Sequence, residues 1–408
     1  MTKDYKPIRK ACEKNSRISG RVIDDFLIGF AAGHQDLEKK MDQQFAVFRH
    51  ITRKFDKEWI GFLQAQYIGH RIFRKDGLIG KFLNHPALKR LSSEEMGFLR
   101  RHADQAWRFS FSVIIEKPAE DFFIMEDVFS GENYTLFSPG ITELIQKGRP
   151  ILWFNLIGFN GMCWQSFGPI GFYKGFESDD IFFFATELNP EIENEEDVLE
   201  DVENNPIPYM MLLSGANYPM AYHKNDQMVQ TMSEFDLDGI NTNELKKSFK
   251  SEYTEGVYRL TLDDWGEYPH YANAYYDERK KIILLSAMTD RGFHALAEGI
   301  NAYGYQFPDE PFIRVNTSML VTAKDILKKK EIILNDYDGL FHIESSPESK
   351  EGIDKLNAFM QLVLPDINAG RKPDIELLAK KAGVDIETAR DMIRHVMEKF
   401  DDMDKRMK

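Results

Sequence analysis

The densest group of chemically capable side chains in this sequence is Asp263-Asp264-Trp265-Gly266-Glu267-Tyr268-Pro269-His270. Asp263, Asp264 and Glu267 with the imidazole of His270, on a loop between two expected strands, have the oxygen and nitrogen donors that hold a divalent cation or pass a proton. Loops collect the same residue types simply to make turns, and the spacing here matches no fixed metal motif. His223 and Asp226 form a thinner pair of the same kind, while Asp236-Leu237-Asp238-Gly239 has the residues of a calcium loop without its spacing. No glycine-rich phosphate loop, nucleophile elbow or paired-histidine helix occurs. A metal-dependent hydrolase built on Asp263, Asp264, Glu267 and His270 is therefore a secondary alternative, and neither a resident metal nor a cofactor is expected. Cys12 and Cys163 are the chain's 2 cysteines. That is too few for a disulfide framework or a cysteine-based zinc site, and the expectation is free thiols in a reducing compartment.

Charge supplies the next candidates. Residues 1–110 carry 22 Lys+Arg against 13 Asp+Glu, and the other 298 of the 408 residues carry 30 against 53. The net charge of -14 is thus +9 followed by -23. Arg49, Arg53, Lys54 and Lys57 recur at helical spacing, with Arg71, Arg74 and Lys75 close behind, and such a stripe can contact nucleic-acid phosphates. The acidic remainder of the chain competes for the same face at high effective concentration and repels nucleic acid at long range. Docking on that remainder, or on another protein, is the expectation.

These residues must be positioned by elements of more than one kind. Residues 1–105 show apolar positions at three- and four-residue intervals, as in Ile23, Phe26, Leu27 and Phe30 or Phe45, Phe48, Ile51 and Phe55, and Ser92 to Glu95 reads as a capping box. They predict a basic helical bundle. From Phe109 the period changes to two, and residues 109–184 hold 18 aromatics. Runs at 109–117, 121–129, 132–138, 151–159, 162–167 and 181–187, with turns at Ser130-Gly131 and Asn160-Gly161, predict an antiparallel β domain over 106–190 that curls or closes into a small barrel. The uncharged stretch Pro150 to Tyr173 is long enough to span a bilayer, but its glycines, Pro169, Asn155, Asn160 and Gln165 mark it as strands and turns. Eight acidic residues between Glu191 and Glu203 predict a solvated linker over 191–205. An α+β domain follows over 206–345, with a hairpin turning at Asp277 to Lys280 and Thr289 capping a helix, and a helical region occupies 346–408. The fold class expected for the whole is α+β.

Leu378-Ala379-Lys380-Lys381-Ala382-Gly383-Val384-Asp385, continuing to Ile393, places small, apolar and turn residues in an order that resembles the helix-turn-helix of DNA-binding proteins. The resemblance implies a second helix facing bases, with Arg390 and Arg394 as the contacts. That helix departs from the pattern by also carrying Asp385, Glu387 and Asp391, which oppose phosphate binding, so a structural helical hairpin is expected instead. Residues 126–152, through Glu126 to Glu132 and Gly148-Arg149-Pro150-Ile151-Leu152, resemble a β-segment of uncharacterised bacterial proteins that often carry a SEC-C zinc tail. This chain lacks the cysteines of such a tail, and the resemblance implies neither a metal site nor an activity.

Missing catalytic signatures, ordered domains and segregated charge together predict a non-catalytic protein-binding or scaffold protein. A nucleic-acid-associated regulator, using Arg49, Arg53, Arg390 and Arg394, is the alternative. Neither a secretory signal nor a membrane helix is legible, which predicts a cytoplasmic location.

Overall fold

Pro7 sits in the first turn of helix Lys6–Ser19, where its missing backbone N–H costs no helical bond. The helix runs on through a π-helical stretch, Gly20–Leu27, into a final turn, Ile28–Ala32. Helices Leu37–Val47, Lys57–Phe73 and Ser93–Asp104 follow. Asp56 caps the second of these by accepting the Trp59 N–H at 2.6 Å. Ser92 and Glu95 form the predicted capping box, their side chains each accepting the other's backbone N–H at 2.7 and 3.3 Å. The computed structural model describes residues 4–34, 36–145, 152–215, 221–341, 355–356, 358–363, 373–390 and 393.

The aromatic block folds as a closed barrel of β1 (Arg108–Ala119), β2 (Phe122–Asp127), β3 (Asn133–Phe137), β4 (Leu152–Phe159) and β5 (Trp164–Tyr173), in the order β1-β2-β3-β5-β4. Four of its pairings are antiparallel as expected. Closure is not, because β3 and β5 run parallel, with Leu136 opposite Trp164. The two-residue alternation sorts side chains cleanly. Phe123, Met125, Tyr134, Leu136, Trp153 and Ile157 fill one cluster inside the barrel, while Phe109, Phe111, Leu152, Phe154 and Leu156 point outward into a larger core shared with the helices.

Two sequence-based assignments are corrected. The run Ile181-Phe182-Phe183-Phe184, read above as a strand, lies in helix Ser178–Leu188; it is apolar on several faces because several faces are buried, which erases the period that would mark it as a helix. The acidic stretch, read as a solvated linker, forms helix Glu195–Asn204. Its acidic residues start at the N-terminal turn, where the helix dipole favours negative charge, and Val198 and Val202 are buried four residues apart on one face.

Helix Pro206–Met211 leads past a two-residue ladder of β6 (Tyr222–His223) and β7 (Asp226–Gln227) into a six-stranded sheet. Its strands are β8 (Val229–Asp236), β9 (Phe249–Thr254), β10 (Val257–Leu262), β11 (Asn273–Asp277), β12 (Ile282–Ala287) and β13 (Ile313–Asn316), in the order β13-β8-β12-β11-β10-β9 with every pairing antiparallel. Helix Thr242–Leu245 is a single turn, and Phe249 opens β9 directly after it. Helix Asp290–Asn301, capped by Thr289 accepting the Gly292 N–H at 3.0 Å, packs Phe293, Leu296 and Ile300 into a core of its own with the sheet. Val315 of β13 and Met319 of helix Thr317–Leu327 belong instead to the core shared by the barrel and the first helices.

The fold class is α+β. The chain divides into two compact units, Met1–Asn335 and Asp336–Lys408. The bundle, barrel and sheet lie within the first unit. In the second, helix Ile375–Ala382 ends at Gly383 in the left-handed conformation with φ 71°, and Phe359, Val363, Ala379, Ala389 and Ile393 form a small buried cluster. Among the described residues no helix is long and apolar enough to cross a membrane.

Candidate functional site

The basic first segment meets the acidic one through specific contacts. His70, fully buried, pairs through Nε2 with Glu203 Oε2 at 2.7 Å, while Glu203 Oε1 accepts the Phe109 N–H of β1 at 2.7 Å. Burial lowers the His70 pKa more than Glu203 raises it, so the ring stays neutral and donates. Arg71 donates to the Asn204 carbonyl at 2.6 Å, and Arg74 to that of Glu203 at 3.2 Å. Lys54 pairs with Asp325, and Arg9 with Asp121 at 2.6 Å. Arg49 and Arg53 are exposed, as is Arg390, which pairs with Glu376 within the second unit; Arg394 and residues 148–151 lie outside the described residues.

The Asp263 to His270 cluster does not converge. Asp263, Asp264 and Glu267 are exposed, and His270 turns away to Thr289, its Nδ1 2.6 Å from the hydroxyl, with its ring centroid 4.5 Å from that of Trp265. The Glu267 backbone carbonyl accepts the His270 N–H at 2.9 Å, the signature of a turn. His223 lies 3.1 Å from the Tyr268 hydroxyl, and Asp226 pairs with Arg291 at 3.4 Å. Among the described residues no group of three His, Cys, Asp or Glu side chains stands close enough to hold a metal ion.

What the fold does assemble is an apolar pocket of about 610 Å³ between the first helices and the barrel. Ile23 and Asp24 enter it from the π-helical stretch, in which the Ile28 N–H reaches back five residues to the Ile23 carbonyl. Trp59, Phe62 and Gln66 come from helix Lys57–Phe73, Trp107 from the residue before β1, and Phe167, Gly168 and Pro169 from β5.

Each wall is held by named contacts. The Trp107 indole is sandwiched between Phe73 at 4.2 Å and Phe167 at 3.8 Å, nearly parallel to both. Its Nε1 donates to His102 Nδ1 at 2.9 Å. Burial pushes the His102 pKa down to about 3, helped by Arg101, so a lone pair is available to accept that bond. Gln66 donates through Nε2 to the carbonyls of Phe167 at 3.2 Å and Pro169 at 3.1 Å, fastening the helix to the barrel. Gly168 has φ +74°, a left-handed backbone that favours glycine, and a β-carbon there would also press on Gln66 at 3.1 Å.

Beside the buried Trp107 and Gln66, Phe62 is 49% exposed and Asp24 is exposed at the mouth. Partial loss of hydration, with the neighbouring charge of Asp25, raises the Asp24 carboxyl above its ordinary pKa. The pocket offers aromatic surface, a carboxylate at its rim and a volume within the usual range for ligand sites. It has the chemistry to take an apolar or aromatic group with a cation beside it.

None of these residues was marked as functional by the sequence. Trp59, Phe62 and Gln66 continue the helical periodicity of residues 1–105, and Trp107 falls between that bundle and the first strand run. The legible signal was an aromatic, Phe62, beside Leu63 in a helix whose opposite side is also apolar.

Compared with known proteins, the chain matches no protein family, no curated protein and no solved structure.

Proposed function

We propose that this protein is a non-catalytic binding protein that engages another protein through the pocket lined by Trp59, Phe62, Trp107 and Phe167. The observation that carries the reading is a half-exposed Phe62 beside a deep, rigidly supported aromatic wall. Interface anchors are typically single aromatic or aliphatic side chains seated in such pockets, surrounded by polar rims. Asp24 at the mouth favours a basic residue next to the anchor. The scattered carboxylates at 263–267 and the absence of a three-ligand group among the described residues favour binding over metal-assisted hydrolysis. The engagement of Arg71 and Arg74 with backbone carbonyls favours a protein partner over nucleic acid.

The test is a displayed peptide library carrying one Trp, Phe or Leu beside Arg or Lys, selected on the native protein. Enriched peptides should lose at least about tenfold in affinity on Phe62→Ala and less on Asp24→Asn. Phe62→Ala should cost under about 1 kcal/mol of stability, so lost binding cannot be laid to unfolding. Peptides that bind both variants as tightly as the native protein, or a library that yields no enrichment, would overturn the proposal.

A further inference from the structure

The chain's 2 cysteines are separated by 151 positions in sequence, yet Cys12 Sγ and Cys163 Sγ stand 3.3 Å apart. Cys12 lies on helix Lys6–Ser19 and Cys163 on the turn that enters β5, and neither is in a disulfide. Both are buried, at 0% and 2% exposure, in a small cluster with Ile8, Phe122 and Phe137.

Polar groups surround the sulfurs. Asn160 Nδ2 donates to Cys12 Sγ at 3.2 Å and to Gln165 Oε1 at 2.6 Å. Gln165 Nε2 in turn donates to the Cys12 carbonyl at 3.2 Å and the Ser16 hydroxyl at 3.1 Å. Asn160 Oδ1 accepts the backbone N–H groups of Met162 at 2.9 Å and Cys163 at 3.0 Å, which fixes the turn that presents Cys163. Apolar packing alone does not call for this arrangement. The Asn160 amide aimed at the thiol pair and the Gln165 amide bonded to the Cys12 carbonyl hold the helix and the turn in one register.

We propose that Cys12 and Cys163 are a reversible thiol–disulfide modification site, oxidised by hydroperoxide, that cross-links helix Lys6–Ser19 to the β4–β5 turn. The sulfurs need to close from 3.3 Å to a bond of about 2 Å, a small movement. Cys12 is the attacking group, because the Cys163 thiol, then Asn160 and the charge of Arg9 favour its thiolate against the opposing effect of burial. A cavity of about 460 Å³ lined by Arg9, Glu13 and Ser16, which lie within a turn of Cys12 on the same helix, brings solvent to that part of the helix.

The chemistry balances with hydrogen peroxide as the two-electron oxidant. The Cys12 thiolate takes one peroxide oxygen as the O–O bond breaks, giving a sulfenic acid and, after protonation, one water. The Cys163 sulfur then attacks the Cys12 sulfur, the S–O bond breaks, and a second water leaves carrying the Cys163 proton. Two thiols have lost two electrons and two protons, and a dithiol reductant returns them.

The full chain is treated with graded hydrogen peroxide, unfolded in maleimide and weighed intact. The expected product is lighter by two hydrogen atoms, carries no maleimide and recovers both thiols after dithiothreitol. Cys163→Ser should instead give a Cys12 sulfenic acid that dimedone captures. Two maleimide-reactive thiols after peroxide treatment, or oxygen added to each cysteine without a cross-link in the native chain, would sink the proposal whether or not the variant folds.

Discussion

Gly158 lies directly against the indole of Trp107: a β-carbon added at this position of β4 would stand 2.4 Å from Trp107 Nε1. Glycine here is needed for the space above it rather than for its backbone freedom. The indole fills that space because Phe73 and Phe167 clamp its two faces and His102 takes its N–H. The strand and the pocket wall are therefore one construction.

Gly158→Ala should displace Trp107, break its bond to His102 and lower stability by about 1–3 kcal/mol, the usual cost of forcing extra volume into a packed core. Denaturant unfolding measures the loss, and a changed tryptophan emission spectrum locates it. Unchanged stability would mean that the indole has room to move.

Glu203 holds two buried donors at once, His70 Nε2 and the Phe109 N–H. Glu203→Ala removes both acceptors and should cost about 3 kcal/mol, because an unpartnered buried donor costs roughly 1–3 kcal/mol each. Glu203→Gln, whose carbonyl replaces one acceptor, should lose less. Equal losses for the two variants in urea unfolding would show that the hydrogen bonds are not what matters.

Asp180 predicts a pH dependence of stability. Burial raises its pKa from 3.8 to about 7, against the backbone N–H groups of Glu177 at 2.9 Å and Asn316 at 2.7 Å, which favour the charged form. Between these values the folded state holds a proton that the unfolded chain has released, so this contribution is full below about pH 4 and is lost as pH rises through about 7. His70, whose pKa is lowered by burial, contributes in the opposite direction. The difference between native protein and Asp180→Asn isolates the carboxyl: the native melting temperature should fall relative to the variant from pH 5 to pH 8, and parallel profiles would contradict this.

Inside the barrel, both side-chain polar atoms of Asn155 lie buried without a hydrogen-bond partner among the described residues. Ser110, opposite Asn155 in the β1–β4 register, bonds instead to Asp127 at 2.6 Å and Tyr134 at 2.9 Å. Replacing an unsatisfied buried amide by an apolar group of like size relieves its desolvation cost. Asn155→Leu should leave stability unchanged or raise it by about 1 kcal/mol. A loss above about 2 kcal/mol in thermal or urea unfolding would show that the amide is hydrogen-bonded in solution.

The sequence determined a good deal through local chemistry. Alternation from Phe109 onward located the barrel strands, Asn160-Gly161 located a hairpin, and Ser92, Glu95 and Thr289 located helix starts, since each signal lies within a few residues of what it shapes. Where packing surrounds an element the signal disappears, as in Ile181 to Phe184, whose all-round burial reads as a strand, and in the acidic helix, whose Val198 and Val202 are outnumbered by carboxylates. Only the tertiary structure decided that β3 and β5 close the barrel in parallel, that Glu203 seats on His70, that Trp59, Trp107 and Phe167 wall one pocket, and that Cys12 meets Cys163. Those contacts depend on strand register and helix docking between residues tens to more than a hundred positions apart. Such pairings are settled by the shared burial of apolar surface, which leaves no mark in the neighbouring residues of either partner.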